Sequence, residues 1–488
     1  MNDAGGFLVT GVAARGGHIM LEFPIAFFVY LGVGLLMNAT EVRATWSMAG
    51  LFALRMLGLF MVLPVFAIYG KGLTGSTPEL IGVAIGAYGL SQAFLQIPFG
   101  LLSDRIGRKP VIFLGLVVFC IGSIVAATST SIYGVIFGRL LQGGGAIASA
   151  VMALLSDLTR DENRTKAMAM VGASIGMSFS LALIMGPVIA GYFNLSGVFW
   201  LTAVLAILGI VVTYSVVPDP EKRLVRRDAR PVVGLFTEVF KVGELMRLNL
   251  GVFVLHLSMT ASFVVLPTIL LNNIDLDKSR HWEIYLPVLF VSFVLMLPAM
   301  IYAEKQRKVK QVFLLAIGML GVALLMLGYW HNSIFHVLAG LFIYFWGFNL
   351  LEAMLPSLVS KVSSPALKGT SMGVYSTCQF LGAAAGGAGG GWLLGHYGNS
   401  TLYYGAAVAV GVWLLVAAGM KQPRHLQSMT LQLQAIDDAI KENLTERLLA
   451  VAGVEEAVVI PQDGAAYLKV DNRHLDKEQL QALASASK

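Results

Sequence analysis

The chain has 488 residues, of which 57% are hydrophobic and only 13% charged, and its mean hydropathy is +0.75. A soluble protein of this length carries about 25% charge, so the composition excludes an ordinary soluble enzyme and indicates a polytopic membrane protein. The net charge of +6 sits in short loops rather than on one broad face, which argues against a nucleic-acid partner.

Residues 1–44 form an N-terminal extension. Its apolar run from Phe23 to Met37 reaches roughly 22 Å as a helix, short of the ~30 Å hydrocarbon core. A signal-like segment, a re-entrant piece or an over-long start with Met37 as initiator all fit. The last is favoured, because the cleavage signal is poor and a thirteenth span would move residue 1 to the opposite side of the membrane.

Six apolar spans follow, at 45–69, 79–102, 110–128, 131–156, 165–193 and 197–217. A polar linker, 218–246, precedes six more at 247–271, 283–303, 311–330, 334–358, 368–396 and 401–420. The fold class expected is thus an all-α bundle of twelve transmembrane helices in two six-helix halves, 45–217 and 247–420. Arg105, Arg108, Lys109, Arg160, Arg164 and Lys166 fall in alternate loops of the first half. Lys222, Arg223, Arg226, Arg227 and Arg230 fill the linker, and Lys305, Arg307, Lys308, Lys310, Lys361 and Lys368 repeat the arrangement in the second half. By the positive-inside rule these loops, the linker and both ends of the bundle are cytoplasmic.

The halves look like copies. Pro98–Pro110 aligns with Pro298–Lys310 at an offset of 200, matching Asp104 with Glu304, Arg105 with Lys305 and Arg108 with Lys308. The stretches beginning at Ser156 and Ser360 align at an offset of 204, which also carries Gly186 and Gly191 onto Gly390 and Gly395. An internal repeat in a twelve-helix protein is the signature of a secondary transporter.

Residues 424–488 have a different character. "SMTLQLQ" alternates as a strand, "DDAIKENLTERLLAVAG" reads as a helix, "VEEAVVIP" and "AAYLKV" as strands joined at Gln462-Asp463-Gly464, and "LDKEQLQALA" as a second helix. The order βαββα describes a small ferredoxin-like α+β domain lacking its last strand.

Within the bundle, "GLLSDRIGRKPV" (Gly100–Val111) is a dense charged knot between apolar runs. Gly100 permits close helix approach, and Asp104 stands four residues before Arg108, where the two can pair on a helix. Charged side chains at mid-membrane cost at least about 2.5–3.5 kcal/mol each, so they are functional candidates. Arg55, Arg139, His256 and Glu352 are in this position, on the first, fourth, seventh and tenth spans, and Gln92, Gln96, Gln142, Asn349 and Gln379 could add polar cavity contacts. A buried carboxylate that moves toward and away from a cation can release and take up a proton, which makes Glu352 the favoured proton- or substrate-binding group. Cys120 and Cys378 lie in apolar runs and read as small core residues. No metal-ligand cluster, Walker motif or nucleophile–base signature is present, so neither an enzyme nor ATP drive is supported.

The knot resembles the loop between the second and third helices of the major facilitator superfamily. Gly100, Ser103, Asp104, Arg105, Gly107, Arg108 and Lys109 fit its pattern. "GRLLQGGGAIASA" with Arg139 resembles the fourth-helix motif, and Gly172–Gly191, with Gly176, Gly186, Pro187 and Gly191, the fifth-helix motif of the drug–proton antiporter branch. From Met37 to the end the chain is similar to YajR-type transporters, which append a ferredoxin-like domain to the bundle. The resemblance implies that the first, fourth, seventh and tenth helices line the cavity. It places Asp157 beside Arg108, and Asp104 beside the start of the eleventh helix near Gly369, so that the knot latches the outward-open state. It also implies a monomeric bundle in the inner membrane, with no cofactor, driven by the proton gradient to export a small organic compound. A proton symporter importing a metabolite and a membrane sensor signalling through residues 424–488 are the alternatives. Related small metal-binding domains carry Cys-x-x-Cys after the first strand; here the place reads "LQAIDDAI".

Overall fold

A computed structural model describes residues 37–219, 234, 236–364, 367–422, 427–432, 441–460, 465–471, 474–476, 479–480 and 483. The N-terminal extension before Met37, the basic cluster of the linker and the turn at 462–464 lie outside the described residues. Among the described residues, ten helices are long and apolar enough to cross a membrane. Two of them run for 50 and 51 residues, about 75 Å each, more than twice a ~30 Å hydrocarbon core. Each contains one non-helical residue, Asn194 (φ 57°) or Gly398 (φ 81°), that divides it into two spans. Positive φ is open to Gly and tolerated by Asn, which is why the breaks fall there. Ten helices with two divided make twelve spans.

In chain order these are α1 (Ala39–Gly72), α2 (Pro78–Ile106), α3 (Arg108–Thr128), α4 (Ile132–Leu158), α5 (161–193) and α6 (195–215). The second half holds α7 (Gly243–Asn272), α8 (Trp282–Lys305), α9 (Val309–Tyr329), α10 (Ile334–Val362), α11 (368–397) and α12 (399–418). Asn38 starts α1 through a reciprocal capping box with Glu41, and Thr77 caps α2 ahead of Pro78. Glu41 reaches further. It accepts from the Arg160 backbone N (2.8 Å) and from Asn163 Nδ2 (3.0 Å), pinning the start of α5 to the start of α1.

The halves meet along α2 and α11. A Cβ on Gly82 would lie 2.2 Å from the Gly387 carbonyl oxygen, one on Gly86 2.6 Å from that of Ala384, and one on Gly89 2.7 Å from that of Phe380. Only glycine permits backbones this close. All three glycines lie in the part of α2 away from the charged knot. Leu63 and Phe66 of α1 join Leu266, Ile269 and Leu270 of α7 in one buried cluster at the same end. The bundle is therefore cinched at the end opposite the knot.

The tail has β1 (Gln427–Gln432), α13 (Lys441–Leu449), β2 (Val454–Ile460) and β3 (Ala465–Val470) in an antiparallel sheet of order β1-β3-β2. Insertion of β3 between β1 and β2 is the ferredoxin-like split βαβ arrangement. Leu444 and Leu448 pack on Ala466, Leu468 and Val470, and Leu480 of the second expected helix joins them.

Candidate functional site

The knot folds as a hinge of one residue. Gly107 (φ 107°) is the whole connection between α2 and α3, so Asp104 and Arg108 sit on consecutive helices rather than on one. They still pair. Arg108 Nε also donates to Asp157 Oδ2 at the end of α4 (3.1 Å), and its Nη1 to Ser103 Oγ (2.6 Å). Arg108 and Asp157 are buried to 7% side-chain exposure, so the pair is shielded from solvent. Arg105 is exposed, whereas Lys109 reaches Asp219 Oδ1 and the Val217 carbonyl beyond α6, both at 2.8 Å. A Cβ on Gly100 would lie 3.1 Å from Ser149 Oγ, so this glycine sets the α2–α4 approach.

The repeat holds in space, with two changes. Glu304 ends α8 as Asp104 ends α2, but the position equivalent to Asp157 is Lys361, which pairs with Glu304 directly (2.7 Å). Lys308, the counterpart of Arg108, instead donates to Tyr302 Oη (3.1 Å).

In the first half the interior candidates are packed away. Arg55 Nη2 donates to Gln92 Oε1 (2.7 Å) and to the Gly145 carbonyl (3.1 Å), where α4 is interrupted. Arg139 donates to Gln142 Oε1 (3.0 Å) and to the Ala84 carbonyl (3.3 Å), and Gln142 Nε2 to Ser123 Oγ (2.8 Å). Both guanidinium groups lie near the Tyr88 ring, at 5.9 and 5.2 Å from its centroid. The sequence directs Arg55, Arg139 and Gln142 toward a cavity; in this state each faces neighbouring helices and is no more than 2% exposed.

In the second half the arrangement is open. His256 Nδ1 donates to the Val252 carbonyl (3.2 Å), leaving Nε2 to accept from Gln379 Nε2 (2.8 Å). Gln379 also donates to Glu352 Oε1 (3.3 Å), and Glu352 Oε2 stands 3.7 Å from His256 Nε2 without a hydrogen bond. The Glu352 side chain is 40% exposed. Asn349, one turn earlier, donates to Ser292 Oγ of α8 (3.2 Å). Along α10 the order is Phe345, Glu352, knot end; along α7 it is knot end, His256, Phe263. The polar group thus lies on the knot side of an aromatic cluster in which Phe179 of α5 meets Phe60 (5.0 Å between centroids), Phe263 (6.3 Å) and Phe345 (6.4 Å). Sequence reasoning named no ring of this cluster, since its members come from helices of both halves.

The fifth-helix motif divides. A Cβ on Gly186 would lie 2.5 Å from the Met61 carbonyl oxygen, where α1 bends, and Pro187 follows it inside the helix. Gly176 has open space beside it and Gly191 only a 3.8 Å contact with Ser279.

A model of the Major Facilitator Superfamily matches residues 48–387 and again 248–452. The chain belongs to the major facilitator superfamily. A model of the YajR YAM domain matches residues 434–482. The chain is 45% identical to the inner membrane transport protein YajR of Escherichia coli K12 over 91% of its own length and 98% of the relative's. It is 28% identical to the quinolone resistance protein NorA of Staphylococcus aureus over 34% of this chain and 43% of that one. A crystal structure of the nucleoside transporter NupG superposes with a TM-score of 0.63 over 77% of this chain and 99% of its own, at 14% identity, which establishes the shared fold. The protein is a multi-pass inner-membrane transporter of this superfamily.

Proposed function

We propose that the protein is a proton-driven exporter of small organic compounds, alternating access to a central cavity whose proton-binding group is Glu352. The observation that carries this reading is the company Glu352 keeps. Its described contacts are an amide at 3.3 Å and an imidazole at 3.7 Å, with no arginine or lysine among them. A carboxylate clamped by a guanidinium resists protonation, whereas one held this loosely can gain and lose a proton as its surroundings change. Arg55 and Arg139, tied to backbone carbonyls, serve better as fixed framework than as the exchanging group. The Gly186-Pro187 motif and the partial likeness to a quinolone resistance protein favour export. The knot end faces the cytoplasm by its excess of bases, and the described state is cinched at the opposite end.

The test is proton movement in everted membrane vesicles holding an acidic lumen. A panel of fluoroquinolones, organic cations and neutral amphiphiles is added, with Glu352→Gln as control. Export by antiport predicts that a transported compound alkalinises the lumen for the native chain and not for the variant. Movement of compound and proton together would identify a symporter instead. A folded, inserted protein that answers no compound would remove the support for export.

A further inference from the structure

The tail's sheet has two faces, and only one belongs to its own core. Ala466, Leu468 and Val470 of β3 point toward α13, so Ala465, Tyr467 and Lys469 lie on the opposite face. Such a face, left without a helix, is ordinarily wet. Here Ala465, Tyr467 and Lys469 are 2%, 7% and 4% exposed. A lysine this buried needs partners. Lys469 Nζ has two described ones, Glu456 Oε2 on β2 (3.2 Å) and the backbone carbonyl of Lys361 (3.1 Å).

Lys361 is the penultimate residue of α10. Its carbonyl is one of the last four that the helix cannot satisfy, at the negative end of the helix dipole, so an ammonium group suits the place. The side chain of the same residue holds Glu304. In the first half the position equivalent to Lys361 is Asp157, which Arg108 holds from within the bundle.

We propose that this sheet face is a docking surface for the knot end of α10, and that Lys469 caps the helix and thereby holds Lys361 against Glu304. While the tail is docked, Glu304 is engaged inside its own half. It is then withheld from the helix N-termini of the first half, where a carboxylate would otherwise be favoured. The docked tail therefore keeps the knot ends of the two halves apart, and undocking releases them.

The test uses the full-length chain in lipid nanodiscs. Lys469→Met keeps the stem and removes the charge, and Lys469→Glu reverses it. Amide exchange over 357–363 should quicken about threefold in the first, in keeping with a cation at an exposed helix terminus, and further in the second. Unchanged exchange at Ala466 and Leu468 reports that the tail remains folded. With Cys120 and Cys378 replaced by Ala, spin labels at Arg105→Cys and Gln306→Cys should shift to shorter separations when Lys469→Glu is added. Unchanged exchange at 357–363 in both variants overturns the docking, and a changed exchange with unchanged separation overturns its effect on the transport state. If Lys469→Glu unfolds the tail, a short bis-maleimide across Ser360→Cys and Lys469→Cys decides: cross-linking supports the dock, and its absence in folded protein overturns it.

Discussion

The two halves of the bundle share a repeated sequence pattern, yet they bury opposite charges in opposite ways. The first half encloses two arginines, each bonded to a backbone carbonyl and to a glutamine, with a tyrosine ring beside both. The second half holds one acid, partly open to solvent, beside a histidine and an amide. A guanidinium never deprotonates in a protein, so the first arrangement can only hold helices together or tune the field. A carboxylate and an imidazole can both change charge. On the proposed function, the first half is a fixed framework and the second the half that exchanges protons.

The largest effect should come from removing that exchange. Glu352→Gln keeps the shape and the amide contact to Gln379 and is expected to bring substrate-linked proton flux to the vesicle background. Stability should change by less than about 0.5 kcal/mol, as for a partly exposed site. A variant that keeps coupled flux would place the proton site elsewhere and erase the contrast between the halves.

The next effect concerns the seam that the halves share. Gly82→Leu puts a side chain where even a Cβ would stand 2.2 Å from a carbonyl oxygen. Overpacking of this kind costs about 1–3 kcal/mol. Because the clash exists only while α2 and α11 are cinched, the cost should fall on this state alone and shift the population toward the one closed at the knot, by roughly 5- to 150-fold. Labelling of single cysteines at the two ends of the cavity reads the shift: accessibility should fall at the knot end and rise at the other. Unaltered labelling would mean that the seam does not close the far end.

Much of this was legible in the chain. Apolar runs of about 20 residues must be helices in lipid, where every backbone group needs an internal partner; all twelve expected spans have their helix. The break at Asn194 falls in the gap left between the spans expected at 165–193 and 197–217, and the knot announced itself through its charge density. What sequence could not supply was direction. Gln142 reads equally well as facing a cavity or facing Ser123, and only packing decides. The run from Gly382 to Gly395 is rich in small residues, but nothing in the chain names Gly82, Gly86 and Gly89 as what they pack against. Phe179, Phe263 and Phe345, like Lys361 and Lys469, are far apart in sequence and meet only once the halves and the tail are assembled.

The knots allow a finer contrast. Arg108 and Asp157 are each 7% exposed, so Arg108→Gln leaves an acid shielded from water with its charge partner gone. Removing one member of a buried pair costs about 3–5 kcal/mol, and the partial exposure of Asp104 places the expected loss near the lower figure. It should appear as a fall in the thermal midpoint of the purified protein. A loss below about 1 kcal/mol would show that water reaches the triad and that its burial is not what holds α2, α3 and α4 together.

Glu304→Gln should do much less to stability, although it alters the second half's counterpart of Asp104. Its side chain is 52% exposed and that of Lys361 23%, and an exposed ion pair contributes about 0–1 kcal/mol. The measurement that separates the two knots is a double-mutant cycle for each, Arg108→Gln with Asp157→Asn against Glu304→Gln with Lys361→Gln. Coupling should exceed about 1.5 kcal/mol in the first and stay under about 0.5 kcal/mol in the second. Salt sharpens it further, because screening acts on exposed charges and spares buried ones. The second coupling should vanish on going from low salt to 0.5 M while the first persists. Equal couplings would mean that the replacement of an arginine-centred triad by a bare lysine–glutamate pair made no energetic difference. The asymmetry between the halves would then lie wholly in their interiors, at Glu352 and the two arginines.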